Sequence, residues 1–446
     1  MLIVFASLII LAPLYVWRFS IPVGGGLPTN FLMLANFLVI GVGFLMMLRD
    51  DVASVGASVG ASSTSFKMKS FSQRWCKVFA ELGRPMLIAI GLFGLASIIS
   101  LFVFGINGEK LAQWVVLYFQ PLIIFLIIRY FLPSVETDSV ARDRWIGYFY
   151  KAAYIIVAAA GTLAVVQYFT LQTLPPAWWG NANEPKRAIA FFAHANAFGL
   201  FVTPLLAWLI PDVVEKLNKF LSEVRFSFSF ESVKRRFRPA LWPVLGVLLW
   251  AVGVVGMFLS LSRGAWLGLF VAVAVYAIIC ANKKVILSLI VTGVILTGVV
   301  MVVPNLRYRV LLPFQGEKST VARFSLWDTA GKMIKDNPIL GKGVNGFSDN
   351  WETYNTDPGL EHYNFPHNIL LNFWVDLGLL GVVSMMTIFL VSAWRGLIRW
   401  REGRTNTAAL GVILFLVAIV AHGLIDIPYL KNDLALVFWI ILALGL

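Results

Sequence analysis

The feature that most constrains this chain is a series of apolar stretches, each close to 20 residues long. A helix rises 1.5 Å per residue, so about 20 residues cover the roughly 30 Å hydrocarbon core of a bilayer. Hydrophobic residues make up 59% of the chain and charged residues 13%, whereas soluble domains carry about 25% charged residues. A large soluble helical protein is therefore disfavoured. The sequence predicts an all-α polytopic membrane protein.

The apolar runs predict about 12 transmembrane helices. The predicted spans are 2–17, 31–48, 86–106, 113–132, 146–170, 188–210, 240–260, 264–281, 284–303, 368–392, 408–425 and 434–446. The longest connection lies between the ninth and tenth spans. We therefore divide the chain into transmembrane helices 1–9 (1–303), one large outer loop with short helices (304–366), and transmembrane helices 10–12 (367–446).

The distribution of the basic residues predicts the orientation. Most of the 36 Lys and Arg residues fall in alternate connections, chiefly 49–85, 129–151 and 211–239. The positive-inside rule places these connections in the cytoplasm and the loop 304–366 on the outer face. The net charge of +13 then reflects topology and contacts with anionic membrane lipids, and no nucleic acid partner is expected.

Metal and cofactor chemistry has no support in the sequence. The two cysteines, Cys76 and Cys280, lie in different segments and lack metal-ligand spacing, so neither a disulfide framework nor a zinc site is predicted. No carboxylate cluster suggests a divalent metal, and no glycine-rich nucleotide loop is present. We expect no metal and no other cofactor. An enzyme acting outside, where ATP is absent, would need an activated donor carried there on lipid.

Two arginines of the outer half are candidate phosphate ligands, because a guanidinium fork binds phosphate oxygens in pairs. Arg263 lies in the short outer turn SLSRGAW. The alternative is an interfacial arginine that extends towards the lipid headgroups. Arg323 lies in VARFSLWDTAGKMI, where the apolar spacing predicts a helix inside the large loop. Its alternatives are a solvated arginine and a salt bridge to Asp328.

His367 is the candidate general base. It lies in YNFPHNILLNF, directly before a long apolar run, so it is predicted at a helix N-terminus. The helix dipole there disfavours a protonated imidazole, and a base must be neutral. The alternative is a polar residue that caps the helix. Asn368 is a candidate cap or orienting neighbour.

The remaining polar residues of the outer half have structural alternatives. Arg187 and His194 lie in PKRAIAFFAHAN. Arg187 is predicted to be a further outer cation, and His194 to lie in the helix that follows or to be a satisfied polar group within the bundle. His422 and Asp426 lie in HGLIDIP, one helical turn apart, which predicts a shared face and a hydrogen-bonded pair.

Three of these motifs, in this order, resemble the O-antigen ligase and O-antigen polymerase superfamily (Wzy_C-type membrane glycosyltransferases). They are SLSRGAWLGL, RFSLWDTAGKMIKDNPILGKGVNGF and PHNILLNFWVDLGLLG. The resemblance covers roughly residues 187–430. It implies a GT-C-like, inverting enzyme of the bacterial inner membrane with its active site on the periplasmic face. The implied donor is a glycan on undecaprenyl (polyprenyl) diphosphate, and neither metal nor nucleotide is implied.

The resemblance also implies roles for particular residues. His367 would be the base, and Arg263 and Arg323 would hold the donor diphosphate, with Arg187 a less certain third cation. Asn368, His194 and Asp426 are possible supporting residues. The acceptor would be lipid A–core in a ligase or another lipid-linked glycan in a polymerase, with ligation favoured. A transporter of lipid-linked sugars is the alternative of another class. It would require ionisable residues or broken helices near the bilayer midplane.

Overall fold

A computed structural model describes most of the chain, and almost all of that part is helical. The described residues are 2–16, 18–21, 27–58, 71–133, 138–181, 185–225, 233–280, 318–403 and 406–446, with the single positions 287, 298 and 302. The helices are α1 (Leu2–Leu11), α2 (Phe31–Ser58), α3 (Phe71–Val103), α4 (Gly108–Trp114), α5 (Gln120–Phe131), α6 (Ser139–Thr170), α7 (Ala195–Arg225), α8 (Val233–Leu259), α9 (Arg263–Ile279), α10 (Lys318–Asp336), α11 (Gly346–Asp349), α12 (Trp351–Tyr354), α13 (Ile369–Arg401), α14 (Asn406–Gly423) and α15 (Asn432–Gly445).

The connections are short in several places. A π-helical turn, Val115–Phe119, joins α4 to α5, and two 3-10 turns lie at Ala12–Val16 and Pro176–Trp178. One antiparallel hairpin pairs β1 (Arg18–Ile21) with β2 (Leu27–Asn30). Apart from this hairpin, the described chain is a bundle of α-helices.

The helices confirm a polytopic all-α membrane protein. Six of them are long and apolar enough to cross a bilayer: Phe31–Arg49, Phe71–Val103, Gly108–Phe131, Ser139–Thr170, Ala195–Ser222 and Ile369–Arg401. Five shorter apolar helices also coincide with predicted spans. The ninth predicted span, 284–303, lies almost wholly outside the described residues. The number of twelve spans and the outer position of the large loop stay predictions.

Among the helix ends that differ from the predicted spans, two bear on the candidate site. The span 188–210 was expected to begin as a helix at 188, but α7 begins at Ala195. The side chain of Gln167 bonds the Ile189 amide and the Ala190 carbonyl, so that backbone is held in a loop. The span 408–425 ends early, because α14 stops at Gly423.

Small residues bring three helices together around the candidate site. α9 packs on α7 and on α14. A Cβ on Gly268 of α9 would lie 3.1 Å from the Ala418 carbonyl oxygen of α14, and a Cβ on Gly199 of α7 would lie 2.9 Å from the Ala265 Cβ of α9. Such close approach is typical of helix contacts in membranes. It holds the ends of these helices that carry the candidate site next to one another.

The last helix, α15, is the centre of the other half. Thirteen of its residues are buried, and it packs chiefly on α5. Its 14 residues cover only about 21 Å. Arg129, Arg142 and Arg399 donate to the carbonyls of its last turn, at Ala443, Leu444 and Gly445 respectively. Basic residues predicted to mark the cytoplasmic side therefore also cap a helix C-terminus, where cations are favoured.

The large loop confirms the predicted helix and its termination. Residues Lys318–Asp336 form α10, and the Gly- and Asn-rich segment after it is a series of turns. This segment docks on a break in α13 at Gly378, whose φ is 67°. The Leu379 amide donates to the Ile339 carbonyl at 3.0 Å, and the Lys342 amide donates to the Val375 carbonyl at 2.6 Å. The loop thus satisfies backbone groups that the broken helix leaves unpaired.

Candidate functional site

A polar cavity of about 380 Å³ lies where the ends of several elements meet. We call it the arginine cavity, because three predicted cations, Arg187, Arg263 and Arg323, line it. Its other walls come from the loop around Trp178, the turn Leu261–Gly264, and the end of α14 with the segment after it, which contribute His422, Ile425 and Asp426. Residues more than 230 positions apart in the sequence thus face one space.

Arg263 and Arg323 are joined by one serine of α10. Arg263 Nη2 lies 3.5 Å from Ser319 Oγ, and Arg323 Nη1 donates to the Ser319 carbonyl at 3.2 Å. Arg323 Nε also donates to the Ile425 carbonyl at 2.9 Å. The alternative salt bridge from Arg323 to Asp328 is not formed; Asp328 pairs with Lys332 on the next turn of α10. The two guanidinium groups are therefore fixed by backbone and hydroxyl oxygens rather than neutralised by this carboxylate.

Arg187 enters the cavity from the loop before α7. Its Nε donates to the Ser260 carbonyl at 2.9 Å and its Nη2 to Asn196 Oδ1 at 2.7 Å. Its guanidinium also lies 5.6 Å from the centre of the Trp178 ring, within cation–π distance. The Ala188 amide donates to the Leu259 carbonyl at 3.0 Å. The end of α8 thus holds Arg187 in place.

His367 stands beside the arginine cavity and is connected to it by Asp426. His367 Nδ1 lies 2.9 Å from Asp426 Oδ1. An ionised carboxylate only accepts hydrogen bonds, so Nδ1 carries the proton and Nε2 is left as the basic nitrogen. No residue in the described ranges bonds Nε2. The side chain of His367 is 27% exposed and that of Asp426 is 5% exposed, which leaves the imidazole open to an approaching hydroxyl.

At His367 the backbone adopts an unusual conformation, directly before the capped start of α13. Asn368 caps α13, since its Oδ1 accepts from the Leu370 and Leu371 amides, and its Nδ2 donates to the Leu424 carbonyl at 3.0 Å. Both the predicted helix start and the predicted cap are present. His367 itself has φ +49°, a left-handed conformation that is uncommon for residues other than glycine and that clusters at functional sites.

The predicted pair between His422 and Asp426 is wrong. Because α14 ends at Gly423, Asp426 lies beyond the helix and turns to His367. The His422 ring is 1% exposed and lines the arginine cavity, and its Nδ1 has no hydrogen-bond partner. His194 lies just before α7, with its ring 5.8 Å from that of Trp178. It is not part of the cavity wall, whereas its neighbour Asn196 is.

The charges around the cavity shift the pKa of two neighbouring side chains, Asp426 and His194. Burial would raise the pKa of the Asp426 carboxyl, but the hydrogen bond from His367 and the nearby charges, including Arg323, outweigh burial and hold that pKa well below its usual range. Asp426 is therefore ionised at neutral pH. Burial, together with Lys431 and Arg187, lowers the pKa of His194, so this ring is neutral.

Sequence reasoning missed several residues of the cavity, among them Ser319 and Trp178. Ser319 was not singled out, although it lies four positions before Arg323 on the same helix, and that spacing places both on one face. Trp178 precedes the arginine segment in a proline-rich stretch, and only folding places it beside Arg187. The predicted roles of Arg187, Arg263, Arg323, His367, Asn368, His194 and Asp426 in a reaction stay predictions. Within the described residues, no group of three or more His, Cys, Asp or Glu side chains is placed to hold a metal ion.

Comparison with known proteins supports the resemblance drawn from the motifs. Residues 245–386 match the family model described as O-antigen ligase, Wzy_C. They contain Arg263, Arg323 and His367, and the likeness to the O-antigen ligase superfamily is confirmed over this stretch. An uncharacterized protein of Haemophilus influenzae is 25% identical over 211 residues, which cover 43% of this chain and 51% of the relative. The matched part thus spans about half the length of that relative.

Proposed function

We propose that this chain is an inverting, metal-independent glycosyltransferase that moves a glycan from an undecaprenyl (polyprenyl) diphosphate donor to an acceptor hydroxyl. It acts in the bacterial inner membrane, on the periplasmic face. The acceptor is lipid A–core, which makes the reaction O-antigen ligation. Transfer to a second lipid-linked glycan, as in an O-antigen polymerase, is the alternative within this class.

One observation carries the proposal. Three guanidinium groups from distant parts of the chain line one cavity, and the carboxylate in its wall binds the candidate base, His367. The matched family stretch includes two of these arginines and the histidine. Cations that converge on one space favour a polyanion such as a diphosphate.

The arginine cavity and His367 lie at different places, and this arrangement fits an inverting transfer. In an inverting transfer, the acceptor oxygen attacks the anomeric carbon from the side opposite the leaving diphosphate. Arg263 and Arg323 lie in the cavity wall and His367 lies beyond Asp426, so the diphosphate and the acceptor hydroxyl have separate places. His367 Nε2 accepts the hydroxyl proton, and the arginines stabilise the charge that develops on the leaving diphosphate.

Reconstituted protein tests the function and the acceptor together. The purified chain is incubated with an undecaprenyl diphosphate-linked glycan and with either lipid A–core or further donor. Product on lipid A–core is expected; a ladder on the polyprenyl carrier would instead establish a polymerase. Absence of any glycan transfer by folded protein with both acceptors would refute the proposed activity.

Variants test the assigned residues in the same assay. Arg263→Ala, Arg323→Ala and His367→Ala should each lower the transfer rate roughly 10²–10³-fold, as removal of a charge contact or a base typically does in an active site. Arg263→Lys should also be slow, because lysine lacks the planar fork. Lys335→Ala is the matched control, an exposed cation on the same helix as Arg323. Normal transfer by well-folded His367→Ala protein would remove the base from the mechanism.

A further inference from the structure

His422 is a buried imidazole whose polar atoms the protein itself does not satisfy. The side chain is 1% exposed and lies in the wall of the arginine cavity. Its Nδ1 has no hydrogen-bond partner, and no residue of the described chain bonds Nε2. A neutral imidazole always carries one N–H. A buried N–H without a partner is costly, so we expect the N–H of His422 to bond a group from outside the chain.

The surroundings of the ring indicate which nitrogen is presented. Nδ1 is buried away from any partner, whereas the edge with Cδ2 and Nε2 lies against Gly264, another residue of the cavity wall. A Cβ at position 264 would lie 2.6 Å from Nε2 and 2.4 Å from Cδ2. The glycine therefore lets this edge of the ring lie directly against the start of α9 in the cavity wall, where any other residue would clash with it. The proton belongs on Nε2, next to the cavity.

We propose that His422 is a diphosphate-binding residue that donates a neutral hydrogen bond from Nε2 to a phosphate oxygen of the donor. This inference rests on the proposed function, because it takes the arginine cavity as the diphosphate site. The three arginines supply charge to the anion, and His422 supplies a directed donor from the wall formed by α14. The imidazole also lies close to Asp426, which holds the base.

Two substitutions separate binding from structure. His422→Gln retains an amide N–H donor, whereas His422→Phe keeps a flat ring of similar size and removes the donor. Replacing an unsatisfied buried polar group by an apolar group of similar shape is nearly neutral or stabilising. The melting temperature of ligand-free His422→Phe protein should therefore equal or exceed that of the wild type. A ring that served only to hold the fold would give the opposite result.

The binding experiment uses inorganic diphosphate and the purified full-length protein in detergent, with calorimetric titration as the readout. A hydrogen bond to a charged group predicts that His422→Phe weakens diphosphate binding roughly 10- to 100-fold, and that His422→Gln keeps most of the affinity. His422→Leu replaces the phenylalanine variant if that protein does not fold. Arg263→Ala is measured alongside and should also bind weakly.

The outcomes are distinguishable. Wild-type affinity of His422→Phe together with weak binding by Arg263→Ala overturns the role of His422 and leaves the proposed function intact. Unchanged affinity in both variants overturns the diphosphate site itself. Equal loss in His422→Phe and His422→Gln, with a lowered melting temperature in both, assigns His422 to structure and also overturns the inference.

Discussion

The hydrogen bond between Asp426 and His367 makes a quantitative prediction. Asp426→Asn replaces a charged acceptor by a neutral amide at the 2.9 Å contact with His367 Nδ1. Hydrogen bonds to charged groups contribute about 1.5–3 kcal/mol, and each 1.36 kcal/mol of barrier is a factor of ten in rate. If the carboxylate orients the imidazole and stabilises the imidazolium that forms, kcat should fall roughly 10- to 150-fold.

The Michaelis constant for the donor should respond in the opposite sense. Asp426 also lines the arginine cavity, where its negative charge repels a bound diphosphate. Asp426→Asn should therefore leave the donor KM unchanged or lower it while kcat falls. The pKa of the Asp426 carboxyl is held well below its usual range by His367 and Arg323 against the effect of burial. The carboxylate thus keeps its charge from pH 8 to pH 6, so protonation of Asp426 itself does not contribute to the kcat of the wild type over this range.

Steady-state kinetics of the reconstituted variant provide the measurement. Asp376→Asn is the matched control, because Asp376 is another buried aspartate that bonds Asn372 within α13 and does not line the cavity. A normal kcat in folded Asp426→Asn protein refutes the orienting role. A raised donor KM with unchanged kcat also refutes it, and assigns Asp426 to donor binding.

Two further predictions concern the fold. Gly378→Ala should lower the melting temperature strongly, because φ at this position is +67° and an added Cβ would lie 2.0 Å from the Ile339 carbonyl oxygen; strained residues cost about 1–3 kcal/mol even without such a clash. An unchanged melting temperature would mean that the loop does not dock on the broken helix. Arg129→Met should cost about 3 kcal/mol, the lower end of the range for a buried pair, since it leaves the partly exposed Glu81 without its fully buried partner. Thermal unfolding of the exposed-site variant Arg144→Met is the control, and equal stability of the two variants would contradict the reasoning.

The sequence predicted the helices well where the length of an apolar stretch alone determines that a membrane helix forms. Apolar length places a helix in a bilayer whatever its neighbours are, and eleven predicted spans coincide with apolar helices in the described part of the chain. The break at Gly378 was not predicted. A glycine within an apolar run is compatible with a continuous helix, and only the docked segment around Ile339 shows where the unpaired backbone groups go.

Part of the candidate site was also predicted, from residue type and position rather than from hydrophobicity. Arg187, Arg263 and Arg323 were singled out by residue type and by their place near the outer ends of predicted helices, and the structure brings all three to one cavity. The partner of His367 was not predicted. Helical spacing paired Asp426 with His422, but α14 ends at Gly423. Ending a helix two residues early turns the carboxylate to another partner, and single-sequence patterns locate helix ends poorly.

The position of Asp426 connects the two halves of the proposed reaction. Its carboxylate is in the wall of the arginine cavity and at the same time accepts the hydrogen bond from His367. Its negative charge offsets part of the repulsion among the three guanidinium groups that line the cavity. When a diphosphate enters, its charge takes over that function. In the proposed reaction, the same carboxylate therefore orients His367 on one side and faces the diphosphate on the other, which couples donor binding to the position of the base.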